Sequence, residues 1–164
     1  MTHAIVPGSF DPITLGHLDI IKRACTLYDK VTVVIAINAD KEYAFSKEER
    51  IMLAKDAVKD LKNADVDSTD GLLVDYAAAV GFPVIIKGLR NKTDFQYELK
   101  MVQINEELSE KRHSRRVFTM FMPATKSFSK ISSSYVKKLL ANGKSCKKFV
   151  PNEELLKKLY KKRP

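Results

Sequence analysis

The sequence contains little cysteine and no long apolar run. Its two cysteines, Cys25 and Cys146, stand far apart, and neither has a CxxC or histidine partner nearby. The sequence therefore predicts neither a disulfide framework nor a zinc site. Its longest apolar stretches, such as 31–37, fall far short of the ~20 residues that span a bilayer. The beginning also lacks a basic segment followed by an apolar signal core, so we expect a cytoplasmic protein without membrane contact.

The composition is that of an ordinary globular protein. Hydrophobic residues make up 45% of the chain and charged residues 30%, close to the average for folded domains. No low-complexity segment or internal repeat stands out. A chain of 164 residues fits one domain, which we assign to residues 1–164, and buries about two thirds of the surface that its unfolded form exposes.

Positive charge is in excess and is unevenly distributed. The formal net charge is +9, and residues 144–164 carry eight Lys or Arg against two acidic residues. Two interpretations remain open: a solvated helix end, or attraction of polyanions such as nucleic acid or phosphate-rich small molecules. Only Phe149 and Tyr160 interleave with those lysines. The sparse aromatics disfavour a dedicated platform for single-stranded nucleic acid.

Short apolar segments alternate with helical patterns along the chain. A capping box at Ser46 and Glu49 starts one helix, and Gly143 is a stop signal for another. We read residues 109–116 as a basic loop. The predicted strands are 3–6, 31–37, 64–68, 83–88 and 117–122. The predicted helices include 72–81, 93–108, 132–142 and 152–161. This order predicts an α/β fold, a doubly wound parallel sheet with C-terminal helices.

Functional residues of such a sheet lie beyond the carboxyl ends of its strands. Residues 7–17 follow the first predicted strand, 38–45 the second, and 87–95 the fourth. Each stretch carries polar or cationic groups that suit phosphate. We therefore expect the three stretches to meet at one edge of the sheet.

The stretch from Gly8 to His17 is typical of a phosphate-binding turn. Gly8 permits a tight turn, Ser9 offers an N–H and a hydroxyl, and Gly16 lets a ligand approach the helix start. His17 falls in the first helical turn, where it can donate to a phosphoryl oxygen; packing or capping is the alternative role. GxxxxGK[ST], GxGxxG and GxSxG are all absent, which argues against a P-loop, a dinucleotide fingerprint and a serine nucleophile.

Four segments together resemble a known family. "PGSFDPITLGH", "KGLR", "DFQYE" and "ISSSYV" stand in an order and spacing similar to bacterial phosphopantetheine adenylyltransferases, members of the nucleotidyltransferase superfamily with an HxGH or TxGH motif. Residues 14–17 read TLGH, and the resemblance covers nearly the whole chain. It implies a Rossmann-like fold and in-line transfer of adenylyl from ATP to 4'-phosphopantetheine, releasing pyrophosphate and dephospho-coenzyme A. It also implies a homo-oligomer, commonly a hexamer.

The resemblance assigns roles residue by residue. The residues that it implies to be catalytic are His17, Lys41 and Arg90. Those implied to bind ATP are Ser9, Phe10, His17, Gly88, Leu89, Arg90, Glu98, Phe128, Ser129, Lys130, Ile131, Ser132, Ser133 and Ser134. Those implied to bind the acceptor are Ser9, Lys41, Leu73 and Lys87. Lys87 departs from the arginine of many members and offers a point charge instead of a planar fork. Mg²⁺ is expected on the ATP phosphates, without a protein metal site.

Several of these residues also have ordinary explanations. Lys41 and Arg90 could be surface cations, Glu98 an exposed helix residue, and Leu73 a packing residue. Ser132 could be an N-cap, and capping and phosphate binding can coexist there. Two other functions are also compatible with the sequence: adenylyl transfer to another acceptor, such as nicotinamide mononucleotide, and a basic nucleic-acid-binding module.

Overall fold

The computed structural model describes residues 1–37 and 41–161. Five strands alternate with helices along the chain. The strands are β1 (His3–Gly8), β2 (Lys30–Ala36), β3 (Ala64–Thr69), β4 (Val84–Leu89) and β5 (Thr119–Pro123). The helices are α1 (Leu15–Leu27), α2 (Lys47–Val58), α3 (Leu73–Ala79), α4 (Lys92–His113), α5 (Ser133–Ala141) and α6 (Glu153–Tyr160), with a 3₁₀ turn at Lys126–Phe128.

The strands form one parallel sheet in the order β3-β2-β1-β4-β5. The chain therefore runs outward from β1 to β3, crosses back, and adds β4 on the other side of β1. The predicted doubly wound parallel sheet is confirmed, and so are the C-terminal helices α5 and α6. The strand order reverses between β1 and β4, which makes their carboxyl ends the expected ligand site.

Apolar strands and helix faces supply the core on both sides of the sheet. Strand β2, the neighbour of the central strand β1, is buried from Val31 to Ile35, as expected for a strand covered by helices on both faces. The larger apolar cluster packs α1, α2, α5 and α6 against one face, and a smaller cluster around Ile85 and Val74 packs α3 against the other. None of the helices in residues 1–37 and 41–161 is long and apolar enough to span a membrane.

The predicted basic loop at 109–116 is wrong over most of its length. Helix α4 continues to His113 and ends at Ser114, whose φ of 53° is left-handed. Lys111 and Arg112 stand in the last turn, where positive charge is favourable against the helix dipole. Arg112 also forms an ion pair with Asp75 of α3 at 2.8 Å. A run of charged residues that looks like a loop is here the solvated end of a long helix.

The start of α2 agrees with the sequence prediction. The N–H of Glu49 donates to the Ser46 hydroxyl at 3.2 Å, and the N–H of Ser46 donates to the Glu49 carboxylate at 2.9 Å, which confirms the capping box. The buried residues of α2, however, are Arg50, Leu53, Ala54 and Val58. An arginine thus occupies a core position in this helix.

Candidate active site

The site lies where β1 and β4 separate. Their ladder pairs Ala4 with Val84 and Ile5 with Ile85 and ends there, although both strands continue. The carboxyl ends of the two strands therefore open a crevice at the point where the strand order reverses. The turn after β1 and the segment after β4 form its two walls, as expected from the sequence.

The first turn of α1 presents His17 beside this crevice. Thr14 is the N-cap: its hydroxyl accepts from the N–H of His17 at 3.4 Å, and its own N–H donates to Nδ1 of His17 at 3.1 Å. A histidine thus replaces the usual Glu or Gln of a capping box. The capping role and the predicted catalytic position coincide in one side chain, because the cap uses only one ring nitrogen.

The cap also determines the state of the imidazole. Since Nδ1 accepts from a backbone N–H, the proton of the neutral ring belongs on Nε2. Burial, and to a smaller extent the positive charge of Arg90, lowers the pKa of His17 to about 4. At neutral pH His17 is therefore an uncharged donor whose Nε2–H is available to a ligand oxygen. Arg90, which follows β4, and His17, in α1, thus interact electrostatically across the crevice.

The ring of Phe10 packs inside the turn that follows β1. Its side chain is 3% exposed, and its ring meets that of His17 edge to face at 5.1 Å between centroids. A Cβ added at Gly8 would lie 3.0 Å from the Phe10 ring, so only glycine fits there without displacement. The φ of Phe10 is +47°, an uncommon value outside glycine. Because the ring is buried, any contact of Phe10 with ATP would be made by its backbone.

Arg90 is held by a carboxylate of α4, the helix that follows it. Its Nε donates to Asp94 at 2.9 Å and its Nη2 donates to the other Asp94 oxygen at 3.2 Å. Asp94 belongs to the first turn of α4, where its N–H donates to the N-cap Asn91 at 2.9 Å. Gly88 allows β4 to approach α1, since a Cβ there would lie 3.0 Å from Ile20. Gly88, Leu89 and Arg90 thus line the wall opposite His17.

Lys87 and Glu98 meet each other. The Lys87 ammonium lies 3.3 Å from the Glu98 carboxylate, and both side chains are about one fifth exposed. We predicted these residues to contact different substrates, the acceptor and ATP. The structure therefore brings together two predicted groups of opposite charge.

The segment from Phe128 to Ser134 lies against the first turn of α1. A Cβ added at Gly16 would be 3.6 Å from the Phe128 carbonyl oxygen. The hydroxyl of Ser133 donates to the Pro12 carbonyl at 2.8 Å, and the Ser132 hydroxyl accepts from the N–H of Tyr135 at 3.2 Å as the N-cap of α5. The N-terminal ends of α1 and α5 are thus adjacent, which favours an anion between them.

The remaining predicted residues of this segment differ in their surroundings. The Ser129 hydroxyl donates to the Lys126 carbonyl at 2.9 Å, whereas Lys130 and Ser134 are exposed and Ile131 is buried. Ile131 thus anchors the segment in the protein, and its neighbours reach solvent.

Lys41 and Leu73 are less closely tied to the crevice. Lys41 is exposed and follows residues 38–40, the part of the predicted stretch 38–45 that lies outside the described residues. Leu73 is half-buried and packs on the smaller apolar cluster, as expected for a packing residue. Their functional roles stay predictions.

Asp11 connects these elements, and sequence reasoning missed it. Its carboxylate, 5% exposed, accepts from the N–H groups of Ala44 and Phe45 at 2.9 and 2.8 Å and from the Lys137 ammonium at 3.0 Å. It thus binds the loop that follows Lys41 and helix α5 to the turn after β1. Its partners stand 33, 34 and 126 positions away along the chain, so no local sequence pattern predicts these contacts.

No group of three or more His, Cys, Asp or Glu side chains that could hold a metal ion occurs in the described residues. The two cysteines, Cys25 and Cys146, are free thiols. The carboxylates Asp94 and Glu98 pair with Arg90 and Lys87, and the site otherwise presents hydrogen-bond donors and cations, which suit phosphate oxygens.

Known proteins are similar to this chain in sequence. A model of the cytidylyltransferase-like family matches residues 5–139. A phosphopantetheine adenylyltransferase from Caldanaerobacter subterraneus subsp. tengcongensis is 44% identical over 164 residues, which cover 98% of this chain and 99% of the relative.

Solved structures share the fold at lower identity. A protein from Vibrio parahaemolyticus, described as a candidate nicotinate-nucleotide adenylyltransferase, gives a TM-score of 0.72 at 21% identity over 99% of this chain and 98% of that one. A lipopolysaccharide core biosynthesis protein from Thermoplasma volcanium gives 0.53 at 22% identity over 77% and 98%. At these identities the likeness concerns the fold alone.

Replacing Asp11 tests whether its carboxylate holds the site together. Asp11→Ala leaves two N–H groups and the Lys137 ammonium without their acceptor, so we expect the free energy of unfolding to fall by about 3 kcal/mol. Urea unfolding measures the change. Asp60→Ala, at an exposed residue beyond α2, is the control; equal stability of the two variants would contradict the prediction.

The state of His17 can be measured directly. We expect its ring to titrate with a midpoint near 4 and to carry its proton on Nε2, because the Thr14 N–H occupies Nδ1. Nitrogen-detected NMR of the imidazole rings against pH reads both properties, with a His17→Gln variant to assign the signal. A midpoint near the ordinary value of about 6.5, or a proton on Nδ1, would refute this assignment.

Proposed function

Because the chain belongs to the phosphopantetheine adenylyltransferases, within the cytidylyltransferase-like family, we propose that it transfers the adenylyl group of ATP to 4'-phosphopantetheine. The products are dephospho-coenzyme A and pyrophosphate, a step of coenzyme A biosynthesis. One observation of the site carries this proposal. His17 and Arg90 follow β1 and β4 at the point where the strand order reverses, and the N-terminal ends of α1 and α5 lie adjacent there.

The site residues suit a direct displacement. The phosphate of 4'-phosphopantetheine attacks the α-phosphorus of ATP, and pyrophosphate leaves from the opposite side, so no covalent intermediate with the protein forms. Negative charge grows on the phosphoryl oxygens as the reaction proceeds. Nε2–H of His17, the hydroxyl and N–H of Ser9, and the cations Lys41 and Arg90 would stabilise that charge. The reaction needs no protein base, because the attacking phosphate is already ionised.

The two ion pairs of the site suggest how the substrates bind. Arg90 would keep Asp94 on one side and meet ATP phosphates with its remaining donors, since a guanidinium has five N–H groups. Lys87 would turn from Glu98 to the phosphate of the acceptor, and Glu98 would then accept from the nucleotide. Leu73 would form an apolar wall for the pantetheine arm.

The segment from Phe128 to Ser134 is proposed to bind the nucleotide. Free N–H groups at the start of α5 would meet phosphate oxygens, while the Ser132 cap keeps the helix end in place. The hydrogen bond from Ser133 to Pro12 holds this helix end against the phosphate turn. Gly88 and Leu89 would bind the nucleotide from the opposite wall of the crevice.

Mg²⁺ is proposed to enter with ATP. Two carboxylates of the site, Asp94 and Glu98, already pair with Arg90 and Lys87, so the phosphate oxygens and water would supply most ligands, as Mg²⁺ prefers. When bound, the ion neutralises part of the phosphate charge. The chain's own residues then bind and orient the phosphates.

A homo-oligomer is proposed from an exposed apolar surface. Helix α4 exposes Tyr97 at 60% and Ile104 at 44%, and Phe118, just before β5, is 66% exposed. Tyr97 and Ile104 stand two helical turns apart, so they share one face of α4. Large apolar groups exposed together are typical of interaction sites. The hexamer itself is proposed from the family resemblance.

Pyrophosphate release tests the function. We expect release from ATP and Mg²⁺ with 4'-phosphopantetheine and none above background with nicotinamide mononucleotide. His17→Ala removes a preorganised donor, so kcat should fall about 10² to 10³-fold while circular dichroism stays unchanged. The control is His113→Gln, since His113 ends a helix of 22 residues, about 33 Å from its start. Turnover only with another acceptor would overturn the substrate, and near-normal turnover of His17→Ala would overturn its role.

The native mass tests the assembly. Light scattering after size exclusion should give the mass of six chains of 18.6 kDa each. Ile104→Glu places a charge on the proposed contact face and should lower that mass, whereas Gln103→Glu, at the exposed neighbouring residue, should not. A native protein with the mass of one chain would contradict the proposal.

A further inference from the structure

Arg50 is the most unexpected residue of the core. It is 2% exposed and lies on the buried face of α2 with Leu53 and Ala54. Its Nη1 donates to the carbonyl of Ser9 at 2.8 Å, and its Cζ lies 4.0 Å from the centroid of the Tyr43 ring. Helix α2 thus places a positive charge against the core-facing side of the turn after β1.

The charge of Arg50 is incompletely compensated. Its Nε is buried and has no hydrogen-bond partner in the described parts of the chain, and none of the ion pairs found there includes Arg50. A guanidinium stays protonated in proteins, and burying a charge without a counter-charge is costly. An anion that binds close to such a group compensates its charge, so the buried cation favours anion binding.

The hydrogen bond to Ser9 also determines the direction of the next N–H. Because a peptide unit is planar and trans, the Ser9 carbonyl and the Phe10 N–H point in opposite directions. Holding the carbonyl toward Arg50 therefore turns the Phe10 N–H away from the core. Phe10 has a φ of +47°, a conformation that persists only where the surroundings enforce it. Consecutive N–H groups in such a turn form an anion-binding concavity.

We infer that Arg50 is a positioning residue for ATP: it holds the Ser9–Phe10 turn with its N–H groups toward the phosphates and provides a buried positive charge behind them. Arg50 acts through the turn and does not touch the reacting atoms. The inference rests on the proposed function, in that the ligand of the turn is the phosphate chain of ATP. It adds a buried side chain from α2 to a site otherwise built at the edge of the sheet.

Substitution of Arg50 should affect ATP more than the acceptor. Arg50→Met removes the charge and the hydrogen bond, so we expect the Kd for ATP to rise about 10-fold or more, with KM for 4'-phosphopantetheine within about 3-fold of the wild type. Arg50→Lys retains the charge but not the planar fork, and its Kd should be intermediate. Replacing a buried ionic group by an apolar one is often neutral for stability, so the unfolding temperature without ATP should shift by less than about 4 °C.

Calorimetric titration with Mg²⁺–ATP in the absence of acceptor, steady-state kinetics and thermal unfolding test the inference. Lys55→Met is the matched control, because Lys55 is an exposed cation of the same helix. Weaker ATP binding by Arg50→Met alone supports a positioning role. Equal ATP binding by Arg50→Met and Lys55→Met overturns it, as does a lower unfolding temperature with wild-type Kd, the result of a purely structural role.

Two further outcomes are also decisive. If Arg50→Met does not fold, Arg50→Gln replaces it in the same comparison, and failure of all three Arg50 variants to fold overturns the inference. If the wild type binds ATP but releases no pyrophosphate with 4'-phosphopantetheine, the proposed function fails while the difference in ATP binding still tests Arg50.

Discussion

The carboxylate of Asp11 is the constraint on which the geometry of the crevice depends. It is buried and accepts hydrogen bonds from two backbone N–H groups near Phe45 and from the ammonium of Lys137. Two segments distant in sequence, the loop after Lys41 and helix α5, are thereby fixed to the turn that contains Asp11. A charge-assisted network of this kind is strong because the interior gives little screening. The candidate site residues of these segments are thereby held in fixed positions.

The sheet could be predicted from the sequence because its signals are local. Strands of parallel sheets buried on both faces read as short apolar runs, and residues such as Ser46 and Glu49 start a helix through contacts three positions apart. The end of α4 shows the limit of the same reasoning. The composition of residues 109–113 is compatible with a solvated loop and with a solvated helix, and the deciding contact, from Arg112 to Asp75, joins residues 37 positions apart.

Residues of the candidate site that belong to sequence motifs could be predicted, whereas residues defined by tertiary contacts could not. His17 and Arg90 were found from their motifs and from their place after a strand, and the crevice brings them together. Asp11 has no comparable signal, because its partners come from other elements. Arg50 does have a local signal. It shares the apolar face of α2 with Leu53 and Ala54, where a cation is unusual.

The cations of the site differ in how they can respond to substrate. Arg90 and Lys87 are partly exposed and paired with carboxylates, and such pairs stabilise a protein by only about 0 to 1 kcal/mol. Exchanging a carboxylate for a phosphate group, which carries more charge, therefore costs little. Arg50 is buried beneath the turn and forms no ion pair with a carboxylate of residues 1–37 and 41–161. In the proposed function, the positive charge of Arg50 would stay behind the turn before and after ATP binds, whereas Arg90 and Lys87 would exchange their carboxylate partners for phosphate.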